Sequence, residues 1–513
     1  MVAVSGDPAS GGRPRLLLFV HGWGVTRTDT YGGLPACLAA SMAALDVVDV
    51  WLGRYVSFRD SVRLDDVAQA FDAAVRDVLA GYPPHTRFAC ITHSTGGPVL
   101  RAWLSRYWID NGRWAQTPCP LSHLIMLAPP NFGSALAPLG KGRLGRMKAL
   151  FNGVEPGQQI LDWLTHGSEA ACALNLRWLE TDQAQRLAGL AHPVFCFVIT
   201  GDRIDRHLYD HLNSYTGEVG SDGVVRAAAA NLNATYVRLE QPAVMPGMPL
   251  KTGLDGLGRL HPVRRHAVRD VPFKLLGLAH SGRDLGILRS VDADDAGHPT
   301  VQAVLRCLQI REPRAYVELA RTFEAENIAY QHAQRLEVQT RPLIGERSFI
   351  HDPHSLLLVR VFDQDGRPLP DVDLLLTAGR RDSPDLLPTG FMTDRQAHPQ
   401  IPGVLSFYLN HAVLAGCEAV TRDSPEGLQE VRPALRGAGR YGICALPQGG
   451  DDLVHWAPGM FSAREHSLLN DLRPHQTTWV DIVLTRVVRA GVFRLSRDLA
   501  VQRFDRAAPG DPV

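Results

Sequence analysis

Residues 87–104 read RFACITHSTGGPVLRAWL, and no other stretch restricts the fold of the chain as strongly. Arg87 to Thr92 is a short, mostly apolar run of the kind that forms a strand buried on both faces. His93 to Gly97 leaves room only for a tight turn, after which Val99, Leu100, Trp103 and Leu104 make an apolar helix. A strand that feeds directly into a helix belongs to a parallel sheet, because the chain must cross back before pairing again. The alternation repeats: Arg15 to Val20, Asp46 to Leu52, Leu121 to Leu127 and Val194 to Thr200 read as strands, with a weaker one in Val271 to Leu278. Val67, Phe71, Val75 and Val78 recur at helical spacing from Asp65 to Leu79. The expectation is an α/β fold with a mostly parallel sheet covered on both faces.

Two segments depart from that rhythm. Between Gly133 and Ala191 the chain turns Gly-rich, with amphipathic stretches at Ile160 to Leu164 and Ala173 to Leu179, which read equally as a cap over the sheet or as plain surface helices. Charged helical residues follow over Ile310 to Arg347, and from Ser355 the pattern is β-like. Leu356 to Phe362 and Val372 to Thr377 flank an Asp363-Gln-Asp-Gly-Arg turn and read as a hairpin; Val404 to Leu409 and Thr477 to Leu484 complete a compact β-sandwich.

Composition narrows the function classes. Fifty-three Lys and Arg balance 53 Asp and Glu, so the average surface offers nucleic acid no counterion-release attraction, and no nucleic-acid partner is expected. No apolar run approaches the roughly 18 residues of a membrane span. Met1 to Arg15 lacks the basic start and apolar stretch of a signal peptide, which predicts a cytoplasmic protein or one exported without such a signal. The eight cysteines are scattered, without close metal or redox spacing, and read as buried thiols.

The turn after Thr92 carries the chemistry. Ser94 lies at a strand-to-helix turn that holds a serine in a strained, exposed conformation, and Gly96 and Gly97 supply the room this needs. Thr92 stands where such turns usually carry glycine. A serine needs a base to take its proton and an acid to orient that base. Downstream, Gly220-Ser-Asp-Gly-Val-Val places Asp222 in a tight turn, with Asp202 in Thr200-Gly-Asp as the rival acid. His280 follows an apolar run; His261 and His266 compete with it as the base. Cleavage also needs donors for a developing oxyanion, and the backbone amides of Trp23, in His21-Gly-Trp-Gly, and Thr95 are the candidates. Asp363-Gln-Asp-Gly resembles a calcium-loop fragment but lacks the downstream glutamate and reads as a turn, so no metal is expected. Trp103, Trp108 and Trp114 read either as a membrane-facing patch or as packed aromatics.

The segments VHGWG, THSTGG, LAPPNFGS and GSDGVV together resemble those of bacterial lipases and lecithin–cholesterol acyltransferase-like hydrolases over about residues 15 to 310. The resemblance implies an α/β-hydrolase catalytic domain over 15–310 with a cap insertion at 133–191. It implies a Ser94–His280–Asp222 triad, lipid esters as substrates and no cofactor. A flexible segment, 1–14, would precede that domain; a helical linker, 311–350, an accessory β-sandwich, 351–490, and a tail, 491–513, would follow. The appended sandwich and the missing signal peptide also resemble phospholipase effectors of type VI secretion, which would add a secretion-machinery partner and a peripheral membrane contact through the cap. Two other readings stay open from the residues: an acyltransferase that passes the acyl group to an alcohol, and a binding or delivery protein with an inactive hydrolase domain. Leu356 to Thr377 is also similar to the transthyretin-like β-sandwich, which serves binding and support.

Overall fold

The computed structural model describes residues 15–21, 31–42, 45–54, 59–140, 157–204, 218–242, 258–341, 345–369, 371–424, 427–448 and 454–488. The expected N-terminal segment and C-terminal tail, Trp23, and positions 141–156 of the expected cap lie outside these residues.

The strand-then-helix alternation builds one six-stranded sheet in which every pairing is parallel. Its spatial order is Asp46–Val50, Leu16–Val20, Phe88–His93, Leu121–Leu127, Phe195–Gly201, Phe273–Leu276. Leu16–Val20, Leu121–Leu127 and Phe195–Gly201 are buried along their whole length, which is why these strands read as continuous apolar runs. Alternate side chains divide the core: Leu16, Leu18 and Val20 pack with Phe71 and Val75 of helix Leu64–Leu79 and with Leu100 and Trp103 of helix Gly96–Leu104. Leu17 and Phe19 face the other way, toward helices Leu34–Ser41, Pro299–Leu308 and Pro313–Ala333. The last of these occupies the expected linker but is part of this layer. Tyr316 Oη donates to the Cys196 carbonyl at 2.7 Å, and Asn327 clamps the edge strand through Leu275 N–H and the Phe273 carbonyl. Its charges conceal that role in the sequence because they occupy the solvent-facing side.

The later residues form a sandwich, but with different partners from those expected. One sheet runs Met392–Ala397, Val404–Asn410, His354–Asp363, Thr477–Leu484, Ala234–Glu240, His261–Ala267; the other runs Val372–Ala378, Tyr441–Pro447, Gly459–Phe461, Gly258–Arg259. The expected hairpin is not formed. His354–Asp363 pairs on its two edges with Val404–Asn410 and Thr477–Leu484, leaving no edge for Val372–Ala378, which joins Tyr441–Pro447 in the opposite sheet. The turn itself is real: Asp363 Oδ1 accepts the Asp365 and Arg367 amides, both at 2.9 Å. Turn chemistry reports a reversal but not which sheet the next strand enters.

Ala234–Glu240 and His261–Ala267 precede residue 310, yet they belong to this second assembly. Ala234–Glu240 is parallel to Thr477–Leu484 over seven residue pairs, so the two halves of the chain share a sheet. Trp103 and Trp108 are buried and Trp114 is half-buried, so packing explains them. All eight cysteines are free thiols. Among the described residues no helix is long and apolar enough to cross a membrane.

Candidate active site

Strand Phe88–His93 ends at Ser94, and Thr95 caps the helix Gly96–Leu104. Ser94 has φ 54°, the left-handed region that costs an L-residue about 1–3 kcal/mol. The Ser94 amide donates to the Leu127 carbonyl at 2.9 Å, and the Gly97 amide to the Ser94 carbonyl at 3.1 Å, so the surroundings hold the turn in place. Its glycines are required by space: a Cβ at Gly97 would lie 2.8 Å from Pro129 Cβ, and one at Gly96 would lie 3.1 Å from the Val20 carbonyl oxygen and 3.2 Å from Thr92 Cβ. The last contact shows how Thr92 is tolerated. Its branched side chain fills the room that Gly96 leaves open.

His280 follows the edge strand Phe273–Leu276 and is held by its neighbours. The amides of Asp202 and Arg203 bond the Leu276 and Leu278 carbonyls, each at 3.1 Å, and the His280 amide bonds the Asp222 carbonyl at 2.8 Å. His280 Nδ1 lies 2.9 Å from Asp222 Oδ2, while Asp222 Oδ1 accepts the Val224 and Val225 amides at 3.0 and 2.7 Å. One carboxylate oxygen thus fixes the turn and the other fixes the imidazole. An Nδ1–H donated to Asp222 leaves Nε2 as the basic nitrogen. The His93 ring lies 4.7 Å from the His280 ring, and its Nε2–H donates to the His280 carbonyl at 3.2 Å, which locates His280 against the serine turn. Burial and then the neighbouring His280 push the His93 imidazole well below its ordinary range, so it is a neutral donor.

Ser94, Asp222 and His280 are all buried, and Ser94 and Thr95 line an apolar cavity with Leu136, Leu161, Leu164 and Val224. Leu161 and Leu164 come from helix Gln158–Leu164 within the insertion and line this space. A larger cavity of about 750 Å³, between Arg63, Ser105, Trp163 and Arg177, contains none of the three residues.

The competing candidates lie elsewhere. Asp202 accepts a hydrogen bond from Tyr330 Oη at 2.7 Å and lies 3.6 Å from Arg203; burial raises its carboxyl to about 6 against those two neighbours. His261 and His266 belong to the outer strand of the sandwich. Trp23 lies outside the described residues, and Thr95 N–H begins the helix directly after the serine.

Sequence reasoning missed the buried polar frame behind these residues. Arg101 Nη1 donates to Asn131 Oδ1 at 3.1 Å, and Asn131 Nδ2 donates to the Ala230 carbonyl at 2.7 Å, tying the serine helix to the segment after Asp222. The Arg101 guanidinium is stacked on Trp178, and burial lowers it to about 9. Its signal was present, a lone cation among the apolar positions of PVLRAWL.

No protein-family model and no curated protein matches the sequence. Solved structures do. Phospholipase PlaB from Legionella pneumophila is 38% identical, with a TM-score of 0.80 over 95% of this chain and 97% of that one. The same protein in complex with thio-NAD is 36% identical, with a TM-score of 0.79 over the same shares. Mature Bacillus licheniformis lipase BlEst2 aligns over 45% of this chain and 83% of its own at 18% identity and a TM-score of 0.32. Identity at that level across both the parallel sheet and the sandwich shows that the chain belongs to the same α/β-hydrolase family as phospholipase PlaB.

Proposed function

We propose that the protein is a phospholipase that hydrolyses carboxylic esters of lipids through an acyl-enzyme on Ser94. The observation that carries this reading is the buried His280–Asp222 pair delivered to the Ser94 turn, in a chain that matches a phospholipase along 95% of its length. His280 Nε2 takes the Ser94 proton as Oγ attacks the ester carbonyl, and then returns a proton to the departing alcohol. Asp222 keeps Nδ1 protonated and stabilises the imidazolium. The amides of Thr95 and Trp23 bind the tetrahedral oxyanion, a contribution worth about a hundredfold or more in rate for each donor. Water, activated by the same imidazole, then releases the fatty acid. The lining beside Ser94 is apolar, in keeping with a lipid ester, and Leu161 and Leu164 contribute to it; the space there is only about 10 Å³, so an acyl chain enters only if these side chains move aside. A cap in that position would meet the bilayer interface in which phospholipid esters lie.

Fluorophosphonate labelling and fatty-acid release from phosphatidylcholine vesicles, with and without an added alcohol acceptor, test the proposal. Wild type is expected to be labelled and to release free fatty acid. Ser94→Ala is expected to lose labelling and about 10⁴-fold or more of the hydrolysis rate. Undiminished turnover by that variant would overturn the reading.

A further inference from the structure

The turn that carries Asp222 is anchored in the sandwich. Arg226 follows the turn directly, and its guanidinium is 1% exposed. Arg226 Nε and Nη2 donate to the two Glu218 carboxylate oxygens, each at 2.8 Å, and Nη2 also reaches Asp394 Oδ2. The Tyr408 ring lies against the same guanidinium, 4.2 Å from Cζ, while Tyr408 Oη lies 3.0 Å from both the Val219 and the Gly220 carbonyl oxygens and shares its single proton between them. Asp394 and Tyr408 are cross-strand partners in the edge pair Met392–Ala397 and Val404–Asn410, where the register shifts between Met392 and Asp394. Such a bulge re-aims a side chain.

A buried guanidinium is tolerable only when paired. Burial alone would lower Arg226, yet Glu218, Tyr408 and Asp394 together hold it above its ordinary range. The partners that keep this cation buried therefore also determine where the backbone after Asp222 lies. Two of the three come from a segment that the sequence separates from Asp222 by more than a hundred residues.

We propose that Asp394 and Tyr408 are positioning residues for ester cleavage: acting from the sandwich through Arg226 and the Val219 and Gly220 carbonyls, they hold the turn that aims Asp222 at His280. The inference rests on the Ser94–His280–Asp222 reading. It makes the sandwich part of the catalytic apparatus. An aligned carboxylate stabilises the imidazolium that forms as Ser94 loses its proton, so loosening the turn slows that transfer. Among the described residues, the titratable side chains in contact with His280 are Asp222 and His93, and the latter is neutral.

The test uses the full-length chain and a soluble short-chain ester. Asp394→Asn and Tyr408→Phe are expected to lower kcat by about 10–100-fold with KM within about twofold. The acid limb of kcat/KM is expected to move to lower pH, and Asp394→Glu to recover part of the loss. Arg360→Met breaks a buried pair with Asp481 in the same sheet and serves as the structural control. It is expected to lower Tm without moving the acid limb. If Asp394→Asn does not fold, Tyr408→Phe still decides, because it removes the hydroxyl proton shared by the Val219 and Gly220 carbonyls and keeps the ring. Wild-type kcat and an unmoved limb in Tyr408→Phe, beside an inactive Asp222→Asn, would overturn the inference and leave the triad standing. A fully active Asp222→Asn would overturn the triad itself.

Discussion

Thr92 and Gly96 show how single residues shape the serine turn. A side chain occupies the first position and none the second, and the 3.2 Å approach between Thr92 Cβ and a Cβ built on Gly96 means that the two would fit together only if one gave by a few tenths of an ångström. The cost falls on the hydroxyl. Thr92 is 1% exposed, and its Oγ1 has no hydrogen-bond partner among the described residues. Thr92→Val keeps the shape and removes that unpaired group, so stability should rise by about 1 kcal/mol. Thermal melting checks this; a lower Tm would mean that the hydroxyl is bonded after all.

At the scale of an element, the Gly220–Val225 turn concentrates several demands. Gly220 has φ +75°, and a Cβ there would lie 2.6 Å from Tyr408 Oη. Gly366 has nearly the same backbone, φ +79°, with nothing within 4 Å. The two separate backbone strain from collision. Gly366→Ala should cost about 1 kcal/mol for the left-handed backbone alone. Gly220→Ala should cost more, because Tyr408 must also move, and should reduce hydrolysis by about tenfold or more. Denaturant melts and initial rates on the pair check the difference; equal stability losses with normal activity in Gly220→Ala would show that Tyr408 yields freely.

The whole molecule keeps several histidines neutral inside it. Burial lowers His123, His166 and His475 to about 3 and His354 to about 4. In the unfolded chain these imidazoles take a proton near pH 6.5, whereas in the fold they resist it. The unfolded state therefore binds more protons below about pH 6.5, and stability present above that value is lost as pH falls toward 3–4. Each group contributes up to about 1.4 kcal/mol per pH unit across that window. Asp49, Asp182, Asp202 and Glu218 oppose the trend, since burial raises all four carboxyls, but burial also lowers His93, His298 and His411, so among the described residues seven lowered imidazoles stand against four raised carboxyls. The Tm of Ser94→Ala, followed from pH 7 to pH 4 at constant ionic strength, should fall steadily; a flat profile would show that the histidines are protonated in the fold.

How far the sequence was legible follows from the range of the forces involved. Strands buried on both faces announce themselves as apolar runs, and a serine at a strand-to-helix turn needs small neighbours next to it in the chain, so the parallel sheet and the Ser94 turn could be read locally. Chain order and turn chemistry point to Asp222 and His280, with Asp222 preferred over Asp202; the fold adds that Asp222 bonds His280 whereas Tyr330 holds Asp202. Strand partnership carried no such local mark. Ala234–Glu240 and Val372–Ala378 could each have paired with several edges, and the choice came from which faces were left to bury once the other strands had assembled. The same holds for Arg226, Asp394 and Tyr408. A buried charge is recognisable only when its partners are known, and in this fold Glu218 is close in the chain whereas Asp394 and Tyr408 lie far downstream.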